Sequence, residues 1–318
     1  MGELSYADVQ AAVARIAGRV REVGVVRADD IAADGGCAEL FFALEFLQHT
    51  GTFKARGAQN FLLAHREAGT LPEVGVTIAS GGNAGLACAW AAKEQGVPAT
   101  VFLPANAPQV KVRRLRGYGA DVRLVGTEYA EALAACSEFA AATGALTSHA
   151  YDHPHIAAGA GTLMIELHAR IPDLDTVVVA VGGGGLFAGV AAAARQVGVR
   201  TVAVEPENCR ALNAALAAGR PVDVPLDSVA ADSLGARRVS EMALAAAQHH
   251  QASSVLVSDA AIVRARQLLW DDYRLAVEHA AGTALAGVLG PTGYRPRDGE
   301  KICVVLCGAN TNPADLAG

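Results

Sequence analysis

The sequence predicts an open α/β fold in which buried parallel strands alternate with helices. Short β-rich runs alternate with longer alanine-rich runs along most of the chain. Most of the short runs are continuously apolar, as strands covered on both faces are. The chain has 318 residues. That length suits two domains or one large one, since a domain usually has roughly 100–200 residues.

The predicted elements follow one another in a regular order. The clear strands are at residues 74–79, 99–103, 121–125, 176–181, 199–204 and 301–306. Helices are predicted at residues 55–66, 83–95, 109–118, 128–142, 156–170, 186–197 and 260–275, and an amphipathic helix within residues 1–20. Right-handed crossovers would join such strands into an open sheet that binds ligands outside the carboxyl ends of its strands.

Charge and composition exclude two classes of partner. The net charge of −6 is spread along the chain without a basic stripe, so we expect no nucleic acid. Residues 176–194 are uncharged, but the four glycines inside them would each cost a helix about 1 kcal/mol, so we expect no membrane span. The N-terminus lacks the apolar core of a signal peptide, and no cysteines form a C-x-x-C pair. We therefore expect a cytoplasmic protein.

A glycine run is a candidate phosphate site. It lies between a predicted strand and a predicted helix and consists of Gly182, Gly183, Gly184 and Gly185. Backbone without side chains can wrap closely around a phosphate, and the N–H groups at the helix start then bind the anion. A dinucleotide fold is the alternative, because the run comes close to G-x-G-x-x-G and Glu205 follows where a ribose ligand would stand. The run by itself leaves both interpretations open.

Lys54 is a candidate nucleophile. It follows Phe53 and opens a predicted helix among apolar residues. Desolvation lowers the pKa of such a lysine, and the neutral amine is the form that makes a Schiff base. A lone lysine near a helix start is usually a solvated surface residue. This segment alone therefore does not show whether Lys54 is a nucleophile or a surface residue.

Two further segments place polar groups at the ends of strands. Ser80 ends one strand, two glycines follow, and Asn83 begins a helix, which makes either a second anion site or an ordinary turn with an Asn cap. Two anion sites favour a ligand with two anionic ends, such as an amino acid joined to a cofactor phosphate. Cys307 lies at the end of the last buried strand. Its thiol either packs in the core or faces a heteroaromatic nitrogen.

Together these segments resemble the fold type II pyridoxal-phosphate (PLP) family, and within it the serine/threonine dehydratases, over residues 44–313. The lysine motif of that family, Ser-Phe-Lys-x-Arg-Gly-Ala, stands here as Thr-Phe-Lys-Ala-Arg-Gly-Ala at residues 52–58. The resemblance implies that Lys54 is the catalytic residue and forms the Schiff base with PLP, with Phe53 beside the cofactor.

The remaining site residues also come from the resemblance. The Ser-x-Gly-Asn loop of the family matches residues 80–83, and the residues implied to bind the substrate are Ser80, Gly81, Gly82, Asn83 and Ala84. Asn83 is also implied to touch the phenolic oxygen of the cofactor, and Cys307 to face its pyridine nitrogen. The residues implied to hold the phosphate are Gly182, Gly183, Gly184, Gly185 and Leu186.

The resemblance also implies an architecture. We expect two open twisted α/β domains of the tryptophan synthase β-subunit-like type. Residues 1–47 plus 150–318 would form a large PLP-binding domain and residues 48–149 a small substrate-loop domain, without a C-terminal regulatory domain. We further expect a homodimer and a structural monovalent or divalent cation near the cofactor. Its implied ligands are Asp227, Asp232 and the Ala231 carbonyl. The alternative interpretation of this segment is a loop whose carboxylates are solvated.

The implied activity is β-elimination from a β-hydroxy amino acid such as L-serine or L-threonine, which yields an α-keto acid and ammonia. A serine or hydroxyaspartate racemase of the same fold is the first alternative. Racemases of this family carry a serine hydroxyl two positions before the loop asparagine, whereas Gly81 stands there in this chain. A β-replacement synthase, a non-catalytic PLP-binding protein and an NAD-dependent oxidoreductase are further candidates.

Two departures from the family pattern leave the preferred amino acid open. Ala84 replaces a histidine that often follows the loop asparagine, and His279 replaces the proline of a Glu-Pro pair. His153 and His155 lie in a loop expected near the cofactor. We predict that they are capping or solvated residues, because loop histidines more often have these roles than catalytic ones.

Overall fold

The computed structural model describes residues 4–28, 38–249, 252–290 and 293–316. The first three residues of the predicted N-terminal helix, and Cys37, lie outside these ranges. The described cysteines are free and buried. Among the described helices, none has both the length and the apolar character that a bilayer crossing requires.

Two open sheets form the framework. The larger has six strands, in the spatial order β1 (Val25–Arg27), β2 (Glu39–Ala43), β10 (Lys301–Val305), β7 (Thr176–Ala180), β8 (Arg200–Pro206) and β9 (Ser253–Val257). In it β1 and β2 pair antiparallel, and the other neighbours pair parallel. The smaller sheet is parallel throughout, in the order β5 (Asp121–Leu124), β4 (Ala99–Leu103), β3 (Val76–Ala79) and β6 (Leu146–Thr147).

Helices connect the strands. Their bounds are α1 (Tyr6–Ile16), α2 (Lys54–Glu67), α3 (Asn83–Gln95), α4 (Gln109–Gly117), α5 (Tyr129–Thr143), α6 (Pro154–Arg170), α7 (Gly185–Gln196), α8 (Ala211–Ala218), α9 (Ala231–Leu234), α10 (Glu241–His249), α11 (Asp259–Tyr273) and α12 (His279–Leu289). Short 3-10 helices lie at Glu45–Leu47, His49–Gly51 and Pro313–Leu316. The four strands of the smaller sheet fall inside the predicted small domain, whose boundaries stay a prediction.

The predicted strands and the predicted helices from α2 onward are present, with ends that differ by at most two residues. The sequence did not indicate the strands β1, β2, β6 and β9, which have two to five residues. It also missed α8, α9, α10 and α12. Nearly every residue of α12 is buried, so that helix lacks the polar face that reveals a helical period.

Glycines let three helices touch backbone to backbone. A Cβ on Gly159 of α6 would lie 2.7 Å from the Gly57 Cα of α2, and a Cβ on Gly161 would lie 2.5 Å from the Gly189 carbonyl oxygen of α7. Side chains at these positions would push the helices apart. The contacts place the N-terminus of α2, where Lys54 lies, on the same helix stack as the glycine loop that begins α7.

A buried arginine ties α2 to its surroundings. The Arg56 side chain is inaccessible to solvent. It donates to both carboxylate oxygens of Glu45 (2.6 and 3.0 Å) and to both of Glu166 (2.6 and 2.9 Å). It also donates to the Thr162 hydroxyl at 3.1 Å. Burial alone would lower the pKa of Arg56, but the two carboxylates outweigh it and raise the pKa above its ordinary value. The helix that begins at Lys54 is therefore anchored by a charged network directly behind the lysine.

Glu205 has a structural role inside the larger sheet. It lies on β8, is fully buried, and accepts the backbone N–H groups of Leu212 at 2.7 Å and Asn213 at 2.8 Å. These groups begin α8, so the carboxylate satisfies two donors that the helix leaves free. Burial raises the pKa of Glu205 to about 7, against the lowering effect of these hydrogen bonds.

This raised pKa predicts a pH-dependent stability. Between the unfolded pKa near 4.5 and the folded pKa near 7, the folded state binds more protons at Glu205 than the unfolded state, so stability falls as pH rises. Glu205→Gln has no such titration. We expect the free energy of unfolding of the parent, relative to the variant, to fall by roughly 2–3 kcal/mol between pH 5 and pH 8.

Urea unfolding at several pH values measures this difference. Glu207→Gln, which removes an exposed carboxylate two residues along the chain, is the matched control and should follow the parent. If the free energies of unfolding of the parent and of Glu205→Gln differ by the same amount at every pH, the raised pKa of Glu205 is contradicted.

Candidate active site

Lys54 presents its amine in a partly buried position. The side chain begins α2, and its Nζ donates a hydrogen bond to the Ala150 carbonyl oxygen at 3.0 Å. The Nζ atom also lies 4.8 Å from the centre of the Phe53 ring. Burial lowers the pKa of Lys54 to about 8, although the nearby Cys307 and Glu278 act in the opposite direction. A sizeable fraction of the amine is therefore neutral near physiological pH.

The glycine loop has no room for side chains. Gly184 has φ +89° and caps α7, and a Cβ there would lie 2.3 Å from the Ala243 Cβ. A Cβ on Gly183 would meet the Tyr151 ring at 2.3 Å. The first N–H groups of α7 have no acceptor within the helix. A helix start of this kind fits a phosphate dianion.

Tyr151 connects the glycine loop to the lysine. Its ring lies on Gly183, and its hydroxyl donates to the Arg238 carbonyl oxygen at 3.1 Å. The preceding residue, Ala150, accepts the hydrogen bond from Lys54. Lys54 and the glycine loop therefore contact neighbouring residues, Ala150 and Tyr151. No spacing pattern in the sequence marked Tyr151.

The predicted substrate loop lies beside this segment. Ser80, Gly81 and Gly82 connect β3 to α3, and Asn83 is the first residue of that helix. Ala84 and Lys54 line one narrow cavity. The loop therefore lies close to the amine. Its contacts with the substrate, and the contact of Asn83 with the cofactor, stay predictions.

Gly81 does not need the conformational freedom of glycine. Its φ is not positive, and a Cβ would meet only the end of the Leu103 side chain, at 2.6 Å from Cδ2. A Cβ on Gly82 would have no atom within 4 Å. The loop backbone thus tolerates a side chain at either position, provided that Leu103 shifts next to Gly81.

Glu278 and Asn310 hold the amide of Asn83. Asn83 Nδ2 donates to Glu278 Oε1 at 2.8 Å, and Asn83 Oδ1 accepts from Asn310 Nδ2 at 2.7 Å. Burial raises the pKa of Glu278, against the lowering effect of its hydrogen bond with Asn83. The sequence gave no sign of this contact, which joins elements distant in the chain.

Cys307 lies directly behind Lys54. The Phe53 N–H donates to the Cys307 carbonyl oxygen at 3.1 Å, and Thr52 pairs with Gly308 as an isolated β-bridge. The thiol is buried, and burial raises its pKa to about 12. It is therefore uncharged at physiological pH, as its predicted position against a pyridine nitrogen requires.

The loop histidine His153 has a structural role. His153 caps α6, with its Nδ1 accepting the His155 N–H at 3.2 Å, which confirms the capping prediction for His153. Burial, together with the charges of nearby histidines, lowers the pKa of His153 to about 4. His279 begins α12, and its Nε2 lies 3.4 Å from an Arg266 nitrogen.

The predicted cation ligands lie near the glycine loop. Ala231 and Asp232 belong to α9, whose Leu234 backbone would lie 3.0 Å from a Cβ on Gly182. The Asp227 N–H donates to a backbone carbonyl. Within the described ranges, no group of three or more His, Cys, Asp or Glu side chains is arranged to hold a metal ion. The cation site stays a prediction.

A family-wide sequence profile decides between the two cofactor classes. The profile described as "Pyridoxal-phosphate dependent enzyme" matches residues 16–308. The chain belongs to this family. Its cofactor is therefore pyridoxal phosphate, and the glycine loop and the partly neutral Lys54 fit that group. The dinucleotide alternative required Glu205 to bind a ribose, but both carboxylate oxygens of Glu205 accept backbone N–H groups at the start of α8.

Similar proteins are dehydratases and racemases. The chain is 39% identical over 283 residues to a serine dehydratase-like protein of Rattus norvegicus, and the match covers 85% of each chain. It is 35% identical over 310 residues to an L-threonine ammonia-lyase of Geobacter sulfurreducens, covering 96% of this chain and 76% of that one. The structure of maize serine racemase superposes with a TM-score of 0.92 at 30% identity, over 99% of this chain and 96% of that one. The predicted fold class is confirmed.

Proposed function

We propose that this enzyme eliminates water from a β-hydroxy amino acid, L-serine or L-threonine, and that hydrolysis of the resulting enamine then gives an α-keto acid and ammonia. The observation that carries the proposal is the partly neutral Lys54 amine, held by Ala150 between the substrate loop and the phosphate loop. The similarity to a serine dehydratase-like protein and to an L-threonine ammonia-lyase supports the same reaction.

One residue transfers a proton, and the others bind the substrate and the cofactor. Lys54 Nζ takes the α-proton of the substrate, because its lowered pKa leaves part of it as free base. The N–H groups at the start of α3, including that of Asn83, and the Ser80 side chain bind the substrate carboxylate. The start of α7 holds the cofactor phosphate. Bound pyridoxal phosphate supplies the electron sink for the negative charge that develops at Cα.

Cys307 and Asn83 set the environment of the cofactor ring. The uncharged Cys307 thiol leaves the pyridine nitrogen without a carboxylate partner, which suits a reaction whose negative charge need last only until the hydroxyl departs. We place Asn83 at the phenolic oxygen and Phe53 beside the ring. We also propose that the enzyme is a cytoplasmic homodimer with the two domains expected above.

A serine racemase is the second candidate, and the superposition on maize serine racemase favours it. Racemisation requires an acid on the face of the cofactor opposite Lys54, so that a proton returns from the other side. Gly81 occupies the position where the resemblance implies that acid, and it has no side chain. We therefore propose elimination as the main reaction.

Borohydride reduction tests the role of Lys54. Reduction of the holoenzyme should fix the cofactor covalently to one peptide, and mass spectrometry should locate it on Lys54. Lys54→Ala should bind pyridoxal phosphate weakly and lose elimination by several orders of magnitude, because it lacks both the covalent tether and the base. An adduct on any other lysine would refute the assignment.

Substitutions at Cys307 test its position at the ring. Cys307→Ser should keep elimination within about 10-fold of the parent, because a hydroxyl is also uncharged there. Cys307→Asp should lose more, because it buries a carboxylate and stabilises a protonated ring nitrogen. Steady-state kinetics with L-serine measure both variants. An aspartate variant as fast as the parent would place Cys307 away from the ring.

Chiral analysis of unreacted serine separates the two candidate reactions. We expect pyruvate from L-serine with little D-serine. Gly81→Ser should introduce measurable racemisation, since its backbone accepts a Cβ once Leu103 shifts. Gly82→Ser, which adds the same hydroxyl one residue away in open space, is the control and should not racemise. D-serine formed by the parent as fast as pyruvate would favour the racemase.

A further inference from the structure

Four side chains form a continuous hydrogen-bond path through Asn83. Arg114 Nη2 donates to Asn310 Oδ1 at 2.6 Å, and Asn310 Nδ2 donates to Asn83 Oδ1 at 2.7 Å. Asn83 Nδ2 in turn donates to Glu278 Oε1 at 2.8 Å. Both amides accept on oxygen and donate from nitrogen, so the path runs in one direction from a guanidinium to a carboxylate. We call Arg114, Asn310, Asn83 and Glu278 the amide relay.

The two ends of the relay determine the orientation of the amides between them. Arginine can only donate, so Asn310 must present its oxygen to Arg114 and its nitrogen to Asn83. Asn83 must then present its oxygen to Asn310, which leaves its nitrogen for the carboxylate of Glu278. A flipped Asn83 amide would set two donors against each other and an oxygen against a carboxylate. Charged ends and aligned amide dipoles strengthen each bond in such a series.

The relay crosses between the two sheets at each step. Arg114 belongs to α4 and Asn83 to α3, which connect strands of the smaller sheet. Asn310 follows β10, and Glu278 precedes α12, on the side of the larger sheet. Three consecutive hydrogen bonds therefore join the substrate loop to the part of the enzyme that carries Cys307 and the phosphate loop.

Asn310 is the best-anchored member. Its Nδ2 also donates to the Thr50 carbonyl oxygen at 2.8 Å, and its backbone N–H donates to Glu278 Oε1 at 3.0 Å. The buried Arg266 holds the flanking segments, since it donates to the Val277 carbonyl oxygen at 2.7 Å and to the Thr311 hydroxyl at 2.8 Å.

The outer end of the relay is open to solvent. Arg114 is exposed and lines a cavity of about 540 Å³ together with His49 and Trp90. Substitution of this exposed residue removes a donor from the relay without cutting into the hydrophobic core.

We infer that Arg114 and Asn310 are positioning residues that set the orientation of the Asn83 amide and hold the substrate loop against the larger sheet. This role rests on the function proposed above, because it assumes that the loop binds the substrate carboxylate. It gives α4, remote from Lys54 in sequence, a direct effect on the geometry of the site.

Kinetics of four variants of the holoenzyme test the role. Arg114→Leu should raise KM for L-serine about 10-fold with a smaller change in kcat, because a loosened loop binds the carboxylate less well. Arg114→Lys keeps a donor and should recover part of that loss. Asn310→Ala should lower kcat/KM about 10-fold to 100-fold. Arg113→Leu removes an exposed arginine from the same helix and should match the parent.

A double variant tests whether the residues act in series. Arg114 acts on Asn83 only through Asn310, so Arg114→Leu should have almost no further effect on kcat/KM when Asn310 is already alanine. Losses that multiply in the double variant would show independent effects and overturn the relay.

A readout without turnover separates this role from the proposed reaction. Visible circular dichroism of the bound cofactor, and hydrogen exchange of the peptide spanning residues 80–90, should change in Arg114→Leu and Asn310→Ala but not in Arg113→Leu. If neither serine nor threonine is consumed and these changes still appear, the proposed reaction fails and the relay stands. If the parent turns over serine and Arg114→Leu matches Arg113→Leu in every measurement, the relay fails and the reaction stands.

Discussion

The site depends on the buried ion network around Arg56. A guanidinium removed from water needs acceptors for all its N–H groups, and here the Glu45 carboxylate and, from α6, the Glu166 carboxylate and the Thr162 hydroxyl supply them. Removing one partner of such a network typically costs about 3–5 kcal/mol, because the remaining charge stays buried. Glu45, α2 and α6 are therefore held in one arrangement, and α2 begins at Lys54. The position of the Lys54 amine follows from the charge of Arg56, which is buried two residues along the chain.

Burial then determines the protonation of two groups that we predict to face the cofactor. It lowers the pKa of Lys54 to about 8, which leaves part of the amine neutral, and it raises the pKa of Cys307 to about 12, which keeps the thiol uncharged. A lysine in water would be almost wholly charged, and an exposed thiol would ionise more readily. The same desolvation that forms the core thus prepares one residue as a base and keeps the other from becoming an anion.

The sequence by itself determined the fold class, and it predicts the cofactor-binding segments and the reactive lysine. Continuous apolar runs predict buried parallel strands whatever the partner strand is, and the glycine run predicts a phosphate loop because only glycine permits the close approach seen at Gly183. The motif at residues 52–58 identified Lys54. These features are local, since each depends on residues that are neighbours along the chain.

Only the tertiary structure decided which distant side chains complete the site. Tyr151 on the glycine loop, the Arg56 network and the amide relay join residues separated by as many as 227 positions, and no spacing rule connects them. It also showed that Gly81 is not held by a positive φ and that Glu205 caps a helix rather than binding a ribose. The physical reason is the same in each case. Hydrogen bonds and burial act between atoms that folding brings together, whereas the sequence records only the order of the residues.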